Sequence, residues 1–126
     1  MQRYFLKCKI HRATVTQADL NYVGSITIDE DLLDAAEMAE FEKVHVLDIT
    51  NGTRIETYII KGKRGSGEIC INGAAAHLIN EGHLVIIVAY CTLNESEVES
   101  HTPVVIHVDK KNKLADKLPE SVLSLN

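Results

Sequence analysis

The longest apolar run in this chain covers residues 84–91, eight positions. A helix that crosses a bilayer needs roughly 20, so the run reads instead as a strand paired on both sides. The other apolar stretches are shorter and are punctuated by Gly, Asn and Asp. Many short strands must therefore share one core. At 126 residues, one domain over 1–126 is the expectation. An open sheet of so many short strands would expose long edges, and closure into a small barrel removes them. The expected fold class is mainly β, a small barrel with short helices.

Period-2 alternation places Leu6, Cys8 and Ile10 on one face of a strand over 4–11, and Lys7, Lys9 and His11 on the other. Further strands are predicted over 13–16, 25–28, 43–49, 54–61, 68–71, 84–90 and 104–108. Asn51-Gly52 marks a hairpin. Residues 62–67, with three glycines and Arg64, read as a loop. Leu32, Leu33 and Ala36 recur at helical spacing behind the acids Asp29, Glu30 and Asp31, so 29–39 is expected to be a helix. Short helical pieces are expected over 74–79 and 94–100. Residues 114–126 mix charge with Pro119 at a chain end and read as a mobile tail.

The net charge of −5 argues against nucleic-acid binding, which needs a basic footprint. Cys8, Cys70 and Cys91 form no C-x-x-C pair and are odd in number, so they read as buried apolar residues and not as a disulfide framework. The six histidines, at 11, 45, 77, 83, 101 and 107, are scattered without metal-ligand spacing, and no metal is expected. With neither a signal-peptide core nor a membrane span, a cytoplasmic location is expected.

Tyr22-Val23-Gly24-Ser25 is the segment with chemical potential. Glycine tolerates unusual backbone angles and leaves its carbonyl open to attack. The Ser25 hydroxyl can attack the Gly24 carbonyl and turn the amide into an ester. Elimination from that ester leaves dehydroalanine, which hydrolyses to a pyruvoyl group. Alone, a Gly-Ser dipeptide is an ordinary turn.

Three other segments accompany it: Lys9-Ile10-His11-Arg12-Ala13; Thr50-Asn51-Gly52-Thr53-Arg54 with Thr57-Tyr58; and Arg64-Gly65-Ser66 with Asn72-Gly73-Ala74-Ala75-Ala76-His77. Together, in this order and spacing, they resemble the bacterial aspartate 1-decarboxylase family of pantothenate biosynthesis, over about residues 1–110. The resemblance implies a six-stranded double-psi β-barrel and a homotetramer. It also implies self-cleavage into chains 1–24 and 25–126, with L-aspartate as substrate and β-alanine and CO2 as products. A maturation helper protein is compatible with it.

The residue types suit that chemistry. Decarboxylation of an α-amino acid needs an electron sink, either pyridoxal phosphate or a protein-bound carbonyl. No phosphate-cradling glycine loop is present, so pyridoxal phosphate is not expected. A covalent pyruvoyl group from Ser25 would accept the substrate amine as a Schiff base. Arg54 is the expected carboxylate clamp, a planar fork suited to bidentate binding, with Lys9 and His11 adding positive charge. Tyr58 is the expected proton donor. The resemblance gives Thr57 a role in self-cleavage through a hydrogen bond to the Gly24 carbonyl, with Asn72 as a second helper. Gly73, Ala74 and Ala75 would let substrate approach the backbone, and Tyr22 would line the pocket.

One departure is Glu81-Gly82-His83-Leu84, where the family has an acidic residue after the glycine; His83 is expected to be a structural variation at a turn. Two other readings stand beside the enzyme: a non-catalytic oligomeric or ligand-binding barrel, and pyruvoyl chemistry on a different amino acid.

Overall fold

The computed structural model describes residues 1–118. Its strands are β1 (Arg3–Thr14), β2 (Gln17–Asp19), β3 (Ser25–Asp29), β4 (Lys43–Asp48), β5 (Arg54–Gly62), β6 (Ile69–Asn72), β7 (Leu84–Leu93), β8 (Val104–Val108) and β9 (Leu114–Leu118). Two α-helices, α1 (Glu30–Ala36) and α2 (Glu95–Val98), and a 3-10 helix at Gly73–His77 complete the described chain.

The protein is mainly β, as its composition of short strands requires. The strand pairing as described does not close into a six-stranded barrel. The strands form one nine-stranded sheet in the linear order β2-β6-β3-β5-β4-β7-β1-β8-β9, with β2 and β9 at the ends. The count of six strands comes from the family resemblance, whereas the described residues form nine. β8 pairs parallel to β1 and β9 antiparallel to β8. The predicted tail therefore begins with a strand at 114–118, anchored by β8. The rest of the predicted tail, residues 119–126, lies outside the described residues.

β1 merges the two predicted N-terminal strands. It stays paired to β7 through register shifts between Leu6 and Cys8 and between Ile10 and Ala13, the second of which holds Arg12 at φ 64°. Such a bulge adds a residue and bends the strand without ending it. β7 lies between β1 and β4, with Ile87 opposite both Ile10 and Val46. Ile10, Val46 and Ile87 are fully buried. The β4–β5 hairpin turns at Asn51-Gly52, where Gly52 takes φ 80° and Asp48 Oδ1 accepts from Thr50 N at 2.8 Å.

The predicted helix over 29–39 is shorter. It ends at Glu37, which takes the left-handed conformation. Asp29 caps it and does more. Its Oδ1 accepts from Asp31 N at 2.8 Å and from Gly65 N at 3.0 Å, and its Oδ2 accepts from Gly67 N at 2.8 Å. Burial alone would raise the carboxyl pKa, but these N–H donors and the nearby Lys113 bring it below the usual value. The sign of the linkage follows: with a lowered folded pKa, the stabilisation is full above the unfolded value of about 4 and is lost as pH falls through the folded value. Asp29→Asn is expected to lose about 1–3 kcal/mol at neutral pH in urea unfolding. Its deficit against the wild type should close as pH falls below about 4. A deficit unchanged down to pH 2 would contradict the role given to the charge.

His83 immediately precedes β7. Its Nδ1 lies 2.6 Å from Oδ2 of the buried Asp48, so it braces the β4 hairpin against the start of β7. Among the cysteines, Cys8 and Cys70 are buried and Cys91 is half-buried. Burial pushes the Cys8 thiol up to about 11.

Candidate functional site

The antiparallel register of β3 and β6 sets Ser25 opposite Asn72. Both are nearly sealed, at 2% and 3% exposed, although Gly24 just before them is exposed. Ser25 Oγ donates to Val23 O at 3.0 Å and accepts from Asn72 Nδ2 at 3.0 Å. A second bond from Nδ2 reaches Thr27 Oγ1 at 3.0 Å, and Cys70 Sγ donates to Asn72 Oδ1 at 3.1 Å. The Ser25 hydroxyl thus touches a carbonyl and an amide, not the histidine that activates a hydrolytic serine. The Gly24 carbonyl immediately precedes it in the chain.

Gly73 presses on that peptide from the other side. It takes φ +76°, and a Cβ built there would lie 2.7 Å from Gly24 Cα and 3.2 Å from Tyr22 O. Gly24 itself differs from expectation. It is not among the positive-φ residues, and a Cβ on it would meet nothing within 4 Å. What glycine supplies at position 24 is an unshielded carbonyl and not a left-handed turn.

The parallel register of β3 and β5 pairs Ile26 with Ile59. Thr57 and Tyr58 precede Ile59 on β5, both half-buried. Tyr58 then shares the face of Ser25, while Thr57 shares that of the buried Ile59. Tyr22, half-exposed, lines a cavity of about 300 Å³ with Thr27, Cys70 and Asn72 among its walls. After Asn72 the chain enters a five-residue 3-10 helix in place of the predicted helix over 74–79. Gly73 is buried, Ala74 exposed and Ala75 half-buried there.

Arg54, Lys9 and His11 lie on strands other than that of Ser25. Arg54 opens β5 opposite Leu47, four residues before Tyr58, or about 13 Å along a strand. Lys9 lies on β1, opposite Val88 of β7 and Val105 of β8. His11 stacks on His107 with ring centroids 5.0 Å apart.

Two residues of the site escaped sequence reasoning. Thr27 and Cys70 each lie two positions from a recognised residue, Ser25 and Asn72, on the same strand. Period-2 alternation puts each pair on one face, and that signal would have found them.

The fold and site define a small β protein in which a buried serine and a fixed amide donor flank an open glycine peptide. The chain matches the family model described as aspartate decarboxylase over residues 1–115. It is 61% identical over 114 residues to the aspartate 1-decarboxylase of Corynebacterium efficiens, covering 90% of this chain and 84% of the relative. It is 62% identical over 109 residues to that of Caldicellulosiruptor saccharolyticus, covering 86% and 85%. The chain belongs to the aspartate decarboxylase family.

Proposed function

We propose that this chain is an aspartate 1-decarboxylase, converting L-aspartate to β-alanine and CO2 for pantothenate and coenzyme A synthesis, and that it makes its catalytic carbonyl from Ser25. The observation that carries the reading is the Ser25 hydroxyl held between Val23 O and Asn72 Nδ2 beside the open Gly24 peptide.

Self-cleavage balances with these residues. Ser25 Oγ bonds to the Gly24 carbonyl carbon, the C–N bond breaks, and the Ser25 nitrogen gains the hydroxyl proton. Asn72 Nδ2–H favours the alkoxide form of Oγ as its proton leaves, and Thr57 is the donor for the Gly24 carbonyl oxygen, where charge builds on attack. Loss of the Ser25 α-proton then expels Gly24 as a carboxylate. Water replaces the nitrogen, which leaves as ammonia, and residue 25 begins the new chain 25–126. The resulting pyruvoyl carbonyl supplies an electron sink for the pair left when CO2 departs.

The remaining residues bind, orient and move protons. Tyr58, on the Ser25 face, is the acid that returns a proton to the substrate carbon. Tyr22 lines the pocket, and Gly73, Ala74 and Ala75 offer backbone without bulky side chains. Arg54, Lys9 and His11 hold the carboxylates from a second copy of the chain. A homotetramer with sites shared between subunits belongs to the proposal. Tyr4, 82% exposed, and Tyr90, 43% exposed, line a cavity with Lys43 and His45, and apolar surface of this kind favours association. A six-stranded double-psi barrel is part of the same reading. Thr16 N donates to Ile69 O at 2.8 Å, which joins the chain just after β1 to β6 and supports closure around β1, β6, β3, β5, β4 and β7. A cytoplasmic location completes the proposal.

Turnover of L-aspartate, read as β-alanine and CO2, tests the function. Arg54→Ala is expected to lower kcat/KM for aspartate about tenfold to a hundredfold, the equivalent of a charge-assisted hydrogen bond, and mainly through KM. Unchanged kcat/KM with full preference for aspartate would remove Arg54 from the site. Turnover of another amino acid in preference to aspartate would overturn the substrate assignment.

A further inference from the structure

The amide of Asn72 is held at both ends. Its Nδ2 gives hydrogen bonds to Ser25 Oγ and Thr27 Oγ1, while its Oδ1 accepts from Cys70 Sγ. A hydroxyl both donates and accepts, so Thr27 is compatible with either end of the amide. Ser25 commits its proton to Val23 O and so accepts from Asn72. On the far side, Cys70 alone sets the orientation. A protonated thiol donates and accepts only weakly, which selects the amide oxygen. Cys70 is 5% exposed. Burial raises its pKa, and the carboxylates of Glu68 and Asp19 raise it further, so the sulfur keeps its proton at neutral pH.

We infer that Cys70 is a positioning residue for self-cleavage: its thiol fixes the Asn72 amide so that the N–H end, and not the oxygen, faces Ser25 Oγ. The inference rests on the reading of Ser25 as the cleavage nucleophile. An N–H aimed at Oγ favours its alkoxide form as the proton leaves, before the charge passes to the Gly24 carbonyl oxygen on attack, whereas a reversed amide would set an oxygen lone pair against it. Thr27 assists by accepting the second hydrogen of Nδ2, which ties the amide to β3 itself.

The test compares full-chain variants by the fraction left uncleaved after purification and its decay on warming, read by intact mass. Cys70→Ala is expected to slow cleavage about fivefold, the rate equivalent of one ordinary hydrogen bond. Cys70→Ser restores a donor and should cleave within about twofold of wild type. Cys70→Val refills the volume without a donor and should stay slow, with a thermal midpoint close to wild type. A Val variant cleaving at the wild-type rate, or a Ser variant as slow as the Val variant while folded, would overturn the inference. These two substitutions carry the test even if the Ala variant does not fold. The wild type and Ser25→Ala run alongside. A wild-type chain that stays full length overturns self-cleavage and this inference with it; cleavage in the wild type that is unaffected by Cys70→Val overturns the inference alone.

Discussion

Ser25→Ala is expected to purify as a single full-length chain, to remain so through prolonged warming, and to form no β-alanine from aspartate. The substitution removes one oxygen and its two hydrogen bonds, to Val23 O and from Asn72 Nδ2. The position is 2% exposed, so the small apolar methyl is tolerated. The stability cost is about 1–2 kcal/mol, most of it from leaving Asn72 with one fewer acceptor. Chemistry is affected far more. Without Oγ there is no acyl shift, no new N-terminus and no electron sink, and each factor of ten lost is only 1.36 kcal/mol of barrier. Turnover should fall to background while the folded chain persists. A Ser25→Ala chain that still makes β-alanine would place the carbonyl elsewhere or remove the enzyme reading altogether.

Gly73→Ala is the second large effect. Two independent terms act on it. The backbone there takes φ +76°, a conformation costly for any residue with a Cβ, and that Cβ would lie 2.7 Å from Gly24 Cα and 2.9 Å from Gly24 N. These are backbone atoms and cannot rotate away. Relief requires moving the Gly24 peptide, the bond to be broken. The expected result is a loss of about 1–3 kcal/mol in stability together with cleavage slowed by at least about tenfold, since a displaced reactive carbonyl loses its near-attack geometry. Gly82→Ala separates the two terms. Gly82 takes φ +87° but a Cβ there meets nothing within 4 Å, so that variant should lose stability and cleave at the wild-type rate. Equal cleavage in both variants would mean that contact with Gly24 is irrelevant.

Local chemistry in the chain was legible where one residue type leaves few options. Asn51-Gly52 marked the β4–β5 hairpin because a tight turn needs a residue that accepts positive φ, and Gly52 does so. Asp29 marked a helix start because carboxylates cap free N–H groups, although its bonds to Gly65 and Gly67 could not be read from local sequence. β1 read as two strands because a bulge at Arg12 looks like a break when only alternation is followed. β9 read as tail because charged and small residues in Leu114–Leu118 conceal a strand that gains its order from β8. At the site, Ser25 and Asn72 were identifiable, but the network that aligns them was not. Thr27 and Cys70 matter through register, which depends on which strands pair.

The central claim is that Ser25 is converted from a serine within the chain into a carbonyl at a chain end. Intact-mass measurement of purified wild-type protein tests it most directly. The account predicts two chains, residues 1–24 and residues 25–126, with the larger carrying a ketone at its N-terminus that is labelled by a hydrazide reagent. A single full-length chain that survives warming and takes up no hydrazide would contradict it.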